Sequence, residues 1–138
     1  MKYLFLAAIM ATTYLFTSAQ ADVIEDRKAK FRENVTILRA IQTQIKDGNF
    51  NAIAAGGRNI ANWAAEMPDF FPKGSESRGT LNAIWLNFES FQAKAAANQQ
   101  AALSLEQAAE TKDAAQIMAA LQQVSGSCKS CHQSFKAN

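Results

Sequence analysis

An antiparallel, all-α four-helix bundle is the fold class that this chain predicts, and three observations predict it. Alanine and glutamine are abundant, while the six glycines and two prolines are confined to a few places, a composition that favours helix throughout. Gly48, the Gly56-Gly57 pair, Pro68, Pro72, Gly74, Gly79 and the Thr111-Lys112-Asp113 turn punctuate the chain and leave four segments after a leader. Within each segment apolar residues return at three- and four-residue spacing, the period of one helix face.

The leader comes first. Lys2 precedes the apolar run from Tyr3 to Met10, and a more polar stretch ends in Ala19-Gln20-Ala21. A short basic region, an apolar core and an A-x-A site are the layout of a cleaved secretory signal peptide. Thr12, Thr13, Thr17, Ser18 and Gln20 interrupt the run well short of the roughly 20 apolar residues that a membrane span needs. Export with cleavage after Ala21 is expected, so that no membrane contact remains. Removing 21 leader residues from 138 leaves 117, residues 22–138, one domain of the usual size of about 100–150. Loss of Lys2 takes the 14 basic residues to 13 against 12 acidic ones. That balance offers no basic face to nucleic acid.

Segment one runs from about Val23 to Lys46, with Ile24, Phe31, Leu38 and Ile45 seven residues apart and Val35 and Ile41 between them. Gly48 is its expected stop. Segment two, from about Asn51 to Glu66, carries Ile53, Gly57, Ile60 and Ala64 on one stripe, with Phe50 before it and Met67 after it. Gly57 there implies a close approach, of a neighbouring helix or of a wide cofactor. Pro68 ends the segment, and a loop from Met67 to Gly79 follows. At about a dozen residues it is long for a bundle and is expected to lie against something. Segment three is predicted to begin at Thr80 as N-cap and to reach about Glu110, with the stripe Leu81, Ile84, Trp85, Phe88, Phe91, Ala95, Ala102 and Leu105. Segment four, from about Asp113 to Lys136, reads Ile117, Leu121, Val124, Cys128, Cys131 and Phe135.

Both cysteines thus fall on the inward stripe of the last helix, within Cys128-Lys129-Ser130-Cys131-His132. This stretch holds both cysteines and the one histidine of the chain. C-x-x-C-H is the attachment signature of a c-type haem. Two thiols add across the two porphyrin vinyl groups, and the adjacent imidazole reaches the iron as proximal ligand. A thioredoxin-like dithiol would need a βαβ pattern, which is absent. A structural zinc site would need four ligands, and three are present in one helical turn. One covalently bound haem c is therefore expected inside one end of the bundle, on helix four, with helix one crossing its other face. Reduced thiols used in this way fit a bacterial periplasm, where unmodified cysteines would pair.

With the haem motif at the extreme C-terminus of a four-helix chain, the sequence resembles the cytochromes c′, the high-spin class II c-type cytochromes. Phe135-Lys136 behind the motif, Ile84-Trp85, Arg27 and the Phe71-Pro72-Lys73-Gly74 loop also match, and the resemblance spans residues 23–138. Class I cytochromes c, by contrast, carry the motif near the N-terminus. The resemblance implies that Arg27 lies by the haem propionates, that Phe31 stands over the sixth iron position and that Lys136, where arginine is usual, lies beside the proximal His132. It also implies that Trp85 packs near the haem and that a homodimer forms through the first two helices. Lys28 stands where glutamine is common.

The sixth iron position separates two functions. After cleavage, helix one has neither methionine nor histidine, and Met118 precedes His132 on its own helix. Met67 is the principal rival ligand and Lys30 a lesser one. A five-coordinate, high-spin iron is expected, under an apolar pocket shielded by Phe31. Such a pocket has no donor to stabilise dioxygen, whereas nitric oxide needs none. The sequence therefore points to a binder of nitric oxide and carbon monoxide that is also capable of one-electron transfer with a redox partner protein. The alternative is a low-spin electron carrier with Met67 as sixth ligand. An enzyme is not expected, because no distal acid–base pair is present.

Overall fold

The computed structural model describes residues 2–137, with side chains from 22 to 137. The predicted signal peptide, 1–21, thus has its side chains outside the described residues. Helix α1 spans Lys2–Lys46, α2 Phe50–Glu66, α3 Ala83–Leu86, α4 Phe88–Glu110 and α5 Ala114–Phe135. In the uncleaved chain the first helix extends N-terminal to Val23, the backbone being already helical through the leader.

Local chemistry sets the other boundaries. Gly48 ends α1 by adopting φ +68°, a left-handed conformation that costs glycine no Cβ clash. Asn49 then caps α2, its side chain accepting from the Ala52 N–H at 3.4 Å. Asp113 caps α5 more fully, with Oδ1 accepting from the N–H groups of Ala115 and Gln116 at 2.7 and 3.2 Å.

Segment three departs from the expectation. Thr80 is not its N-cap. The Thr80 hydroxyl instead closes a turn with Ser77, donating to the Ser77 carbonyl and accepting from the Ser77 N–H, both at 2.9 Å. The backbone of Thr80 pairs with Lys136 in an isolated antiparallel bridge. The helix begins only at Ala83 and is broken at Asn87, whose φ of −128° and ψ of 50° lie outside the helical region. The loop before it opens with a 3₁₀ turn, Met67–Phe70, rather than irregular chain.

The long helices α1, α2, α4 and α5 form the bundle. α2 packs closely on α4, α4 on α5 and α1 on α2, with no comparable packing between α1 and α5 among the described residues. Gly57 explains the intimacy of α2 with α4. A Cβ there would stand 2.8 Å from the Glu106 nitrogen and 2.9 Å from the Ala102 oxygen, so helix approach accounts for the glycine. Two apolar clusters fill the interior. Ile41, Ile53, Ile60, Leu105, Ile117 and Val124 make the aliphatic one. Trp63, Met67, Phe71, Ile84, Phe91 and Phe135 make the other, largely aromatic.

Candidate haem site

The two cysteines sit where these clusters meet. Cys128 packs against the aliphatic cluster and Cys131 against the aromatic one, both half-buried, as their three-residue spacing on an inward stripe requires. Burial pushes both thiols above their ordinary pKa. The amide of Asn98 opposes that rise at Cys128, while the Cys128 charge adds to it at Cys131 and Lys94 opposes it. His132, one turn beyond Cys128, is held below the usual imidazole value by desolvation and then by the charge of Lys136. A neutral imidazole is the form that ligates iron.

Beside these residues a cavity of about 470 Å³ opens between α1 and α5, lined by Leu38, Ser125, Cys128, Lys129, His132, Gln133 and Lys136. That volume lies within the range of cofactor pockets. Lys136 caps α5, its N–H donating to the His132 carbonyl at 3.1 Å. The predicted neighbours Cys128, His132 and Lys136 are thus brought together.

Arg27 and Phe31 lie at the aromatic end. Arg27 is 2 % exposed, and its guanidinium donates to the Phe70 carbonyl at 3.1 Å, to Ser75 Oγ at 2.9 Å and to the Ser75 carbonyl at 2.5 Å. The loop of residues 70–77 does lie against something: it wraps this side chain. Among the described residues no carboxylate pairs with Arg27. A buried guanidinium held by neutral oxygens alone is suited to a nearby anion, as a propionate would be. Phe31 meets Trp63 edge-on at 5.4 Å between centroids. It shares its cluster with Cys131 but does not line the cavity beside His132.

Trp85 packs against the same aromatic cluster as Cys131. Its indole N–H donates to the carbonyls of Phe71 and Pro72, each at 3.0 Å, which fastens the same loop from the other side. Lys28 pairs with Glu25 at 2.8 Å on the surface. Met67 is 5 % exposed within the aromatic cluster. Lys30 lines a separate, polar pocket with Glu33, Asn34, Asn59, Asn62, Trp63 and Glu66.

The residues thus fit a haem: Cys128 and His132 line a cavity of suitable volume, Cys131 follows Cys128 on the same helix, and Arg27 is a buried cation without a carboxylate partner among the described residues. Four contributors were missed in the sequence. Leu38 stands in the sequence as one residue of the α1 stripe, and nothing local marks Trp63 or Ser75. Asn98 left a detectable signal, a polar residue in register between Ala95 and Ala102 on the buried stripe of α4.

Comparison with known proteins gives concordant results. The family profile described as Cytochrome C′ matches residues 22–136. Cytochrome c′ of Rhodospirillum rubrum is 36 % identical, with 96 % of this chain and 94 % of that protein covered. The crystal structure of cytochrome c′ from Thermochromatium tepidum superposes with a TM-score of 0.78 at 23 % identity, covering 86 % of this chain and 97 % of the other. A nitric oxide complex of a mutant cytochrome c prime from Alcaligenes xylosoxidans gives 0.76 at 23 % identity, with the same coverage.

Proposed function

The chain belongs to the cytochrome c′ family and carries haem c attached through Cys128 and Cys131, and from that premise we propose that it is a periplasmic binder of small gaseous ligands. Nitric oxide and carbon monoxide are the ligands in view, with one-electron transfer to a partner protein as a second capacity. The haem supplies an iron that accepts a sixth ligand and changes oxidation state. In this reading His132 holds the iron from the α5 side, and Phe31 with Trp63 keeps the opposite side apolar. Arg27 balances propionate charge, Trp85 secures the loop around Arg27, and Lys136 lies on the proximal side, where its charge adds to burial in favouring the neutral form of His132. Binding and electron transfer, rather than enzymatic turnover, are the activities proposed.

The absence of methionine and histidine from residues 22–46 of α1 carries the preference for an open sixth position. Met67, the rival ligand, is a buried member of the aromatic cluster. Lys30 faces the separate polar pocket. The nitric oxide complex of the Alcaligenes xylosoxidans relative is a further support.

Residues 1–21 are proposed to export the chain and to be removed. Among the described residues no helix is long and apolar enough to cross a membrane. Association into a homodimer through α1 and α2 is proposed on the family resemblance, with Val35 of α1, 44 % exposed, as an apolar contribution.

The visible spectrum of the ferrous protein and the magnetic resonance of the ferric protein test the proposal. High-spin signatures are expected, unchanged in Met67→Ala. A low-spin spectrum that vanishes in Met67→Ala would transfer the protein to the electron carriers.

A further inference from the structure

Asn98 is the polar member of the buried row on α4, 5 % exposed. An amide among apolar neighbours is destabilising unless its hydrogens find acceptors. Both do so on α5. Nδ2 donates to Ser127 Oγ at 2.9 Å and to Cys128 Sγ at 3.5 Å. Ser127 commits its own hydroxyl proton to the Val124 carbonyl at 2.7 Å, which leaves its oxygen free to accept. One turn earlier on α4, Lys94 Nζ donates to Ser130 Oγ at 2.6 Å. α4 therefore grips the haem-binding stretch of α5 at two successive turns, and one of those grips lies on a sulfur.

We propose that Asn98 is a positioning residue for haem attachment: its amide holds Cys128 Sγ in the rotamer that borders the cavity, ready for a vinyl group. In attachment the S–H bond breaks, sulfur bonds the inner vinyl carbon and the hydrogen passes to the terminal carbon, with no oxidant or reductant consumed. Thiol and thioether sulfur are both weak acceptors, so the same N–H serves before and after the bond forms. Among the described residues Cys131 has no such donor. The assignment concerns one cysteine and is independent of which gas the iron binds.

Because thioether formation is an addition, a chain joined through one cysteine has the same mass as a chain joined through two. The test is therefore alkylation of free thiol in haem-bearing protein, located by peptide mapping. It is run on the full chain expressed with haem-attachment machinery, as wild type, Asn98→Ala and Asn98→Asp. Both variants lack the N–H donor and should raise alkylation at Cys128 about fivefold or more, the factor expected when one ordinary hydrogen bond is lost. The α band of the pyridine derivative should move to the red as one vinyl group stays free. Wild-type labelling at Cys128, or label shared equally between Cys128 and Cys131, overturns the assignment, because a merely structural role treats the two thiols alike. Should neither variant yield haem-bearing chains, Asn98→Leu decides. It fills the buried site without a donor or an unsatisfied polar group, and labelling at Cys128 above wild type sustains the proposal while wild-type labelling overturns it.

Discussion

The guanidinium carbon of Arg27 lies 4.3 Å from the centroid of the Phe71 ring. The cation thus stacks on the loop whose oxygens it also binds. Desolvation lowers the Arg27 pKa and the charge of Glu76 partly restores it, yet arginine stays charged at any working pH.

Removing this cation should loosen the loop. Arg27→Met leaves the carbonyls of Phe70 and Ser75 without their donor, which is expected to cost about 2–4 kcal/mol in urea unfolding of the holoprotein. Arg27→Lys should recover less than half of that, because an ammonium cannot reproduce the planar fork. A lysine variant as stable as wild type would show that charge alone matters.

Phe31 should govern ligand entry. Its ring meets Trp63 edge-on, and under the proposed distal placement a ligand approaching the iron would have to displace it. Phe31→Ala is expected to speed carbon monoxide association by about tenfold for each ~1.4 kcal/mol removed from the barrier. Stability should fall by roughly 2–3 kcal/mol. Stopped-flow mixing of the ferrous protein gives the rate. An unchanged rate in a folded variant would place the gate elsewhere.

Acid should weaken α5 through its cap. The backbone N–H and side chain of Gln116, with the N–H of Ala115, hold the Asp113 carboxyl below its ordinary pKa. A carboxyl with a lowered folded-state pKa contributes fully above its unfolded value, about 3.9, and loses that contribution as pH falls through the lower native value. An asparagine in place of Asp113 would cap without titrating. The melting-temperature advantage of wild type over Asp113→Asn, measured from pH 7 downward, should therefore shrink across the acid range. A constant difference would show that the charge is irrelevant to the cap.

The helices were legible in the sequence because their signals are local. The stripes through Ile53 and Ile60, Phe91 and Ala102, and Ile117 and Val124 mark core positions that are buried in the fold. The haem motif is equally local, five residues on one helix. What escaped depends on distance along the chain. Leu81, Ile84, Phe88 and Phe91 keep helical spacing across Asn87, so the break there is invisible without the bridge that ties Thr80 to Lys136. The partners of Arg27 lie 43 to 50 residues away in an irregular loop. No periodicity reports such contacts.

Three of the bundle's four lateral seams are zipped by side chains: α1 on α2, α2 on α4, and α4 on α5. The fourth, between α1 and α5, is where the cavity opens. A porphyrin bonded to α5 would make that seam from a flat ring instead of interdigitated residues. A tilt of α1 would then alter the room at the iron, and a ligand bound on that side would push on α1. The spacing of the first and last helices would become a mechanical gauge of what the haem holds.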